Sequence, residues 1–278
     1  MGTSSSYGGS GGSDWGRLRE ELEDWLDSLP GVPDGVDETP VDTEQPEHES
    51  PHVDPDEPED EVVDILRPLA ASLLSGGRGG ADGPSGGGGL GAPTAASGGG
   101  RSPSGTGRSR ARAGRVGGRL AAGLSALRTG DATALAELGL SLEELRTLDP
   151  VRQAQRILAA ATEEEVATTL EEEELQTAAN RTAIWALTAE EPPDVGDLIR
   201  YFVAEYVYEV FLTEGGPALR SGNRNGLNAI AAEDRVKRTI TALARQVPID
   251  PSGMGPGELA ELVERVLEQA LRIHGGDD

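Results

Sequence analysis

The chain has no cysteine, which excludes disulfides and thiolate metal sites. Lys237 is its only lysine, so arginine supplies nearly all of the positive charge. Phenylalanine, tyrosine and tryptophan make up 3% of the 278 residues, leaving few large rings from which to build a core. No run of about 18 apolar residues is present, as a membrane-spanning helix needs, and the first residues show neither the basic nor the apolar stretch of a secretory signal. A soluble, cytoplasmic protein without a membrane partner is expected. Only three histidines occur, at 48, 52 and 274, which leaves nucleophile-base-acid triads without their usual base. Enzymatic activity is not expected, and no cofactor is implied.

The formal net charge of -25 means that the chain also lacks the cationic excess on which nonspecific binding to nucleic acid or anionic membrane depends. Scarce lysine with abundant acid is the pattern of a high-GC or salt-adapted proteome, and a charge-specific partner is the other reading.

The few aromatic residues are concentrated. Residues 194–212, DVGDLIRYFVAEYVYEVFL, hold five of the nine. Val195, Leu198, Ile199, Phe202, Val203, Tyr206 and Val210 recur at helical spacing, with Asp197, Glu205 and Glu209 towards the other face. Tyr201, Val207, Tyr208 and Phe211 widen the apolar surface, so this core helix should be covered from more than one side. Asp194 suits its N-cap, and Gly215, Gly216 and Pro217 read as its stop.

The other helices follow the same logic. Ser141 with Glu144, Asp149-Pro150, and Thr162 with Glu165 read as three helix openings. Further helices are expected from about 172 to 189, along Val236, Ile240, Leu243 and Val247, and from 257 to 273. No convincing strand appears. The expected fold is an all-α, C-terminal helical domain over 116–274, behind a long, largely disordered Gly/Pro/acidic arm.

The arm divides by composition. Residues 1–13 are small and polar and read as a flexible tail. Residues 14–30 carry Trp15, Leu18, Leu22, Trp25 and Leu29 at helical spacing, an amphipathic helix that either packs on the chain's own core or lies in a partner's groove with its tryptophans as anchors. Residues 31–61, acidic and Pro-rich with no Lys or Arg, read as a linker. Residues 62–74 form a short apolar island interrupted by Pro68, expected as two short turns or a kinked helix. Residues 75–115 read as a Gly/Ser/Arg-rich linker. Its basic end and the residues that follow, with Arg101, Arg108, Arg110, Arg112, Arg115, Arg119 and Arg128 and no acid between Asp82 and Asp131, are either a nucleic-acid arm or a cationic stretch that settles on a negative face. No aromatic residue is there to stack on bases, so nucleic acid is not the expected partner.

Two motifs mislead. His48-Glu49-Ser50-Pro51-His52 matches the zinc pattern H-E-x-x-H, but Pro46, Pro51 and Pro55 keep both imidazoles from one helical face, and no metal is expected there. Gly86, Gly88 and Gly91 fit G-x-G-x-x-G without the flanking strand and helix of a dinucleotide site.

The terminus carries more chemistry. Removal of Met1 before a small residue exposes the α-amine of Gly2, whose pKa of about 7.7–8 leaves it far more often unprotonated near neutrality than a lysine at about 10.4. Gly2 has no side chain and its followers are small, so the tail can thread into a narrow catalytic pocket. Met1-Gly2-Thr3-Ser4-Ser5-Ser6-Tyr7, the Gly/Arg-rich middle and the stretch ALTAEEPPDVGDLIRYFVAEYVYEVFLTEGG resemble the QatB components of bacterial Qat antiphage defence systems. The resemblance is best over the first seven residues and about 110–247. It implies a non-enzymatic component that binds a QueC-like enzyme, which joins a 7-deazaguanine base to Gly2. An ATPase and a TatD-like nuclease are the further partners it implies. Thr3, Ser4, Tyr7, Trp15, Leu18, Leu22 and Trp25 are then candidate partner-binding residues. The readings from a different class are a structural interaction hub without covalent change and a nucleic-acid-binding adaptor. N-myristoylation also fits Gly2 with Ser6, but it requires a eukaryotic origin, which composition and resemblance oppose.

Overall fold

The computed structural model describes residues 13–29, 57–75, 106–162, 169–220 and 226–272, and every regular element among them is a helix. In chain order these are α1 (Ser13–Ser28), α2 (Asp60–Ser75), α3 (Thr106–Thr129), α4 (Ala132–Glu137), α5 (Leu142–Arg146), α6 (Pro150–Thr162), α7 (Leu170–Thr188), α8 (Val195–Arg220), α9 (Gly226–Gln246) and α10 (Pro256–Arg272). The protein is therefore an all-α domain. The expected tail, most of the acidic linker and most of the Gly/Ser-rich linker lie outside the described residues.

The aromatic helix, α8, is the hub. It packs against α1, α3, α7, α9 and α10, and Phe202, Tyr206, Tyr208 and Phe211 are all buried. Asp194 caps its start, accepting a hydrogen bond from the Asp197 amide at 2.8 Å. Its end differs from expectation: the helix runs through Gly215, Gly216 and Pro217 to Arg220. Gly215 is a contact point, because a Cβ there would come within 3.1 Å of the Phe211 ring and 3.2 Å of Leu22 in α1. The glycine lets α1 approach rather than ending α8.

Two more boundaries, at the start of α3 and the end of α6, are corrected, and of the two alternatives at Pro68 the helix is found. α2 is a single helix through Pro68 and not two turns, held by the buried Val62, Val63, Ile65, Leu66, Leu69, Ala70 and Leu73; such packing offsets the roughly 3 kcal/mol cost of an interior proline. α3 begins at Thr106, inside the stretch read as linker. Arginine and alanine are good helix formers, and Arg112 pairs with Glu172 of α7. Thr162, read as an opening, instead ends α6 and donates its hydroxyl to Leu158 at 2.9 Å. Thr169 and Glu172 form the capping box that opens α7. Ser141 and Asp149 do cap α5 and α6, accepting from the amides of Glu144 and Arg152.

α1 and α2 are remote in sequence but share one hydrophobic core with α3–α10. α3 and α10 make the most extensive helix pair, and glycine is the reason. Gly114, Gly117 and Gly118 face α10 and Phe202, so closely that a Cβ on any of them would meet another atom at 2.5 Å.

Candidate functional site

Of the residues singled out for partner binding, Gly2, Thr3, Ser4 and Tyr7 lie outside the described residues, and Trp15 belongs to the first turns of α1. Leu18 and Leu22 are fully buried and Trp25 is 4% exposed, all within the chain's own core. The groove that receives this helix is therefore supplied by α2 and α8 of the same molecule.

Charge fixes the same contact. Arg19 donates Nε to the Glu214 carbonyl at 3.1 Å and pairs with its carboxylate at 3.3 Å. Arg235 of α9 lies 5.0 Å from the centre of the Trp25 ring and pairs with Glu59 at 2.6 Å and Glu61 at 3.2 Å. One guanidinium thus joins α1, the start of α2 and α9, combining a cation-π contact with two carboxylates. Outward, α1 exposes Glu20, Glu23, Asp24 and Asp27.

The second constellation crosses α7, α8 and α9. Glu205, 2% exposed, pairs with Arg181 of α7 at 3.1 Å and with Lys237 of α9 at 3.0 Å. Arg181 also pairs with Glu209, one turn on, and Tyr208 donates its hydroxyl to Glu233. The ammonium of Lys237 stands 4.8 Å from the Tyr208 ring centre. The chain's only lysine is thus committed to this cluster. Trp185 and Tyr201 stack at its edge, ring centres 4.2 Å apart and 9° from parallel.

Burial dominates the acid-base behaviour here. It pushes the Glu209 carboxyl up, against the pull of Arg181. It pushes Tyr208 well above its ordinary value, helped by the hydrogen bond to Glu233, and Tyr201 up to about 12, helped by the Glu205 charge. Each buried carboxylate of the cluster meets a cation, which suits the joining of three helices more than proton transfer. Structural ion networks, and not only active sites, perturb pKa values. For a tyrosine raised in the folded state, the stabilising difference is complete below the unfolded value near 10 and is lost as pH climbs to about 12. Thermal melts should show the midpoint falling across that window, and Tyr201→Phe should flatten part of the fall. A midpoint indifferent to pH between 10 and 12 would contradict the burial of these hydroxyls.

Among the described residues no group of three or more His, Asp or Glu is placed to hold a metal ion, and no helix is long and apolar enough to cross a membrane. His48, His52 and the Gly86–Gly91 pattern fall outside them. The charge network was missed in sequence because its members come from three helices; the i, i+4 pair Glu205 and Glu209 on the most apolar helix was the available signal. In comparison with known proteins, no family model, curated protein or solved structure matches the chain.

Proposed function

We propose that the protein is a non-enzymatic adaptor of a Qat-type antiphage defence system, bound by a QueC-like enzyme that modifies its N-terminal Gly2 with a 7-deazaguanine base. The sequence resemblance supplies the reaction. The structural observation that supports the reading is the docking of α1: with Leu18 and Leu22 buried in the core, the chain preceding residue 13 is tethered to a fixed point on the domain. Gly2 to Gly12 is eleven residues, and a chain of that length can span at most on the order of 40 Å, enough to carry an α-amine into a partner's active site while the helical domain binds elsewhere on that partner. A defence-system ATPase and TatD-like nuclease are further partners in this reading, and the protein acts in the cytoplasm. Recruitment by Leu18, Leu22 and Trp25 is not favoured, because a partner would have to displace their own packing. A nucleic-acid arm is not favoured either, since Arg112 answers Glu172.

Co-expression with the QueC-like enzyme should add a nucleobase-sized mass to the peptide that begins at Gly2. Gly2→Glu should retain Met1, hide the amine and abolish the added mass, whereas Ser10→Ala should keep it. An unmodified N-terminus in intact-protein mass spectra from defence-competent cells would sink the reading in favour of an adaptor without covalent change.

A further inference from the structure

A cleft of about 310 Å³ opens between α3, α6 and the connection from α7 to α8. That is at the small end of the ~300–1,000 Å³ range of ligand pockets, sized for a single residue more than for a large cofactor. Its walls are apolar, mainly Leu124, Leu127, Leu187, Leu198, Pro192 and Pro193, and its two polar side chains are Arg128 and Gln153.

Both polar groups have capacity left over. Arg128 is exposed and donates through one terminal nitrogen to the carbonyls of Pro192 and Pro193. No carboxylate pairs with it among the described residues, although the chain holds 49 acids against 24 bases. Glu190 and Glu191, just before Pro192, are exposed and do not line the cleft. Gln153 spends its amide nitrogen on the carbonyls of Leu145 at 3.0 Å and Leu148 at 3.1 Å. That bonding fixes the side-chain amide and leaves its oxygen as the acceptor. The cleft therefore combines an anion-seeking guanidinium, a hydrogen-bond acceptor and an apolar floor.

We propose that this cleft binds the free C-terminus of a partner protein that ends in an apolar residue. Such a residue presents the complementary set at one carbon: a carboxylate for Arg128, a backbone N–H for the Gln153 oxygen, and an apolar side chain for the leucine and proline walls. Guanidinium-carboxylate hydrogen bonds are the strong, directional element of the match.

Acetyl-Gly-Gly-Leu as the free acid and as the C-terminal amide, titrated into the full-length protein, separates this from simple apolar binding. Backbone amide resonances of Ala186, Leu187, Ala189 and Leu198 report on the site. The acid should shift them saturably, with an affinity at least tenfold above that of the amide, and Arg128→Gln should bring the acid down to the amide's level while Arg128→Lys keeps part of the preference. Equal affinity for acid and amide on the parent protein, or no shift with either, overturns the proposal without recourse to any variant. An unchanged acid preference in Arg128→Gln overturns it as well. Modification at Gly2 is independent of each of these outcomes.

Discussion

Gly118→Leu is expected to unfold the protein, or to lower its thermal midpoint more than any surface substitution. A Cβ at this position would stand 2.5 Å from the Ala260 nitrogen, 2.7 Å from its Cα and 2.9 Å from the Leu259 carbonyl carbon. All three are backbone atoms of α10, which cannot swing away as the tip of a side chain can. Relief requires moving α10 as a body, and α10 buries Leu259, Leu262, Val263, Val266, Leu267, Ala270 and Leu271. Overpacking a core costs typically ~1–3 kcal/mol, and a backbone clash on the most extensive helix pair belongs at or above the top of that range. Gly16→Ala is the matched control. It is exposed in α1 with nothing near its absent Cβ, so the change should raise stability by roughly 0.5–1 kcal/mol through helix propensity. Chemical denaturation of both variants beside the parent tests the pair, and similar midpoints for both would mean that α3 and α10 are not in glycine-mediated contact.

What was legible in the sequence was whatever repeated along one helix. The stripe of α8 and the register of Leu259, Val263, Val266 and Ala270 in α10 lie in local spacing, and so do the caps at Asp194, Ser141 and Asp149. What was illegible depended on contact between helices. Glycine marks loops by default, yet Gly114, Gly117, Gly118 and Gly215 serve here as missing side chains that admit a neighbour. Composition could not distinguish those roles, because the propensity penalty is local and the packing gain is tertiary. Trp25 illustrates the same limit at the candidate site: its helical spacing announced an apolar face, but that the face meets the chain itself depends on α2 and α8, and its ring is covered by Arg235, over 200 residues away in sequence. Glu205 was placed on the polar face of its helix, and it is polar, but the salt partners that permit its burial sit on α7 and α9.

Phe202 and Gly117 should behave as one unit. The ring is 1% exposed, and a Cβ on Gly117 would lie 2.5 Å from its Cε1 and 2.6 Å from its Cδ1. Phe202→Ala alone should cost roughly 3–5 kcal/mol, the transfer term plus the cavity left in the core. Gly117→Ala alone carries two opposed effects: about 0.5–1 kcal/mol gained from helix propensity, and an overpacking cost of ~1–3 kcal/mol against the ring. The clash should win, since Val263 also stands 3.1 Å from the new methyl group and closes the other side. In the Phe202→Ala background the ring is gone, so the same methyl group enters a void, where the helix-propensity and burial gains are opposed only by the 3.1 Å approach to Val263, which can now shift into the vacated space. The sign of Gly117→Ala should therefore reverse, from destabilising in the parent to stabilising in the cavity variant. Residues in contact couple by ~0.5–3 kcal/mol, whereas independent sites add within ~0.3–0.5 kcal/mol. A four-member denaturation cycle that came out additive would show that α3 does not press its glycine face on Phe202, and with that the central contact between α3 and α8 would be lost.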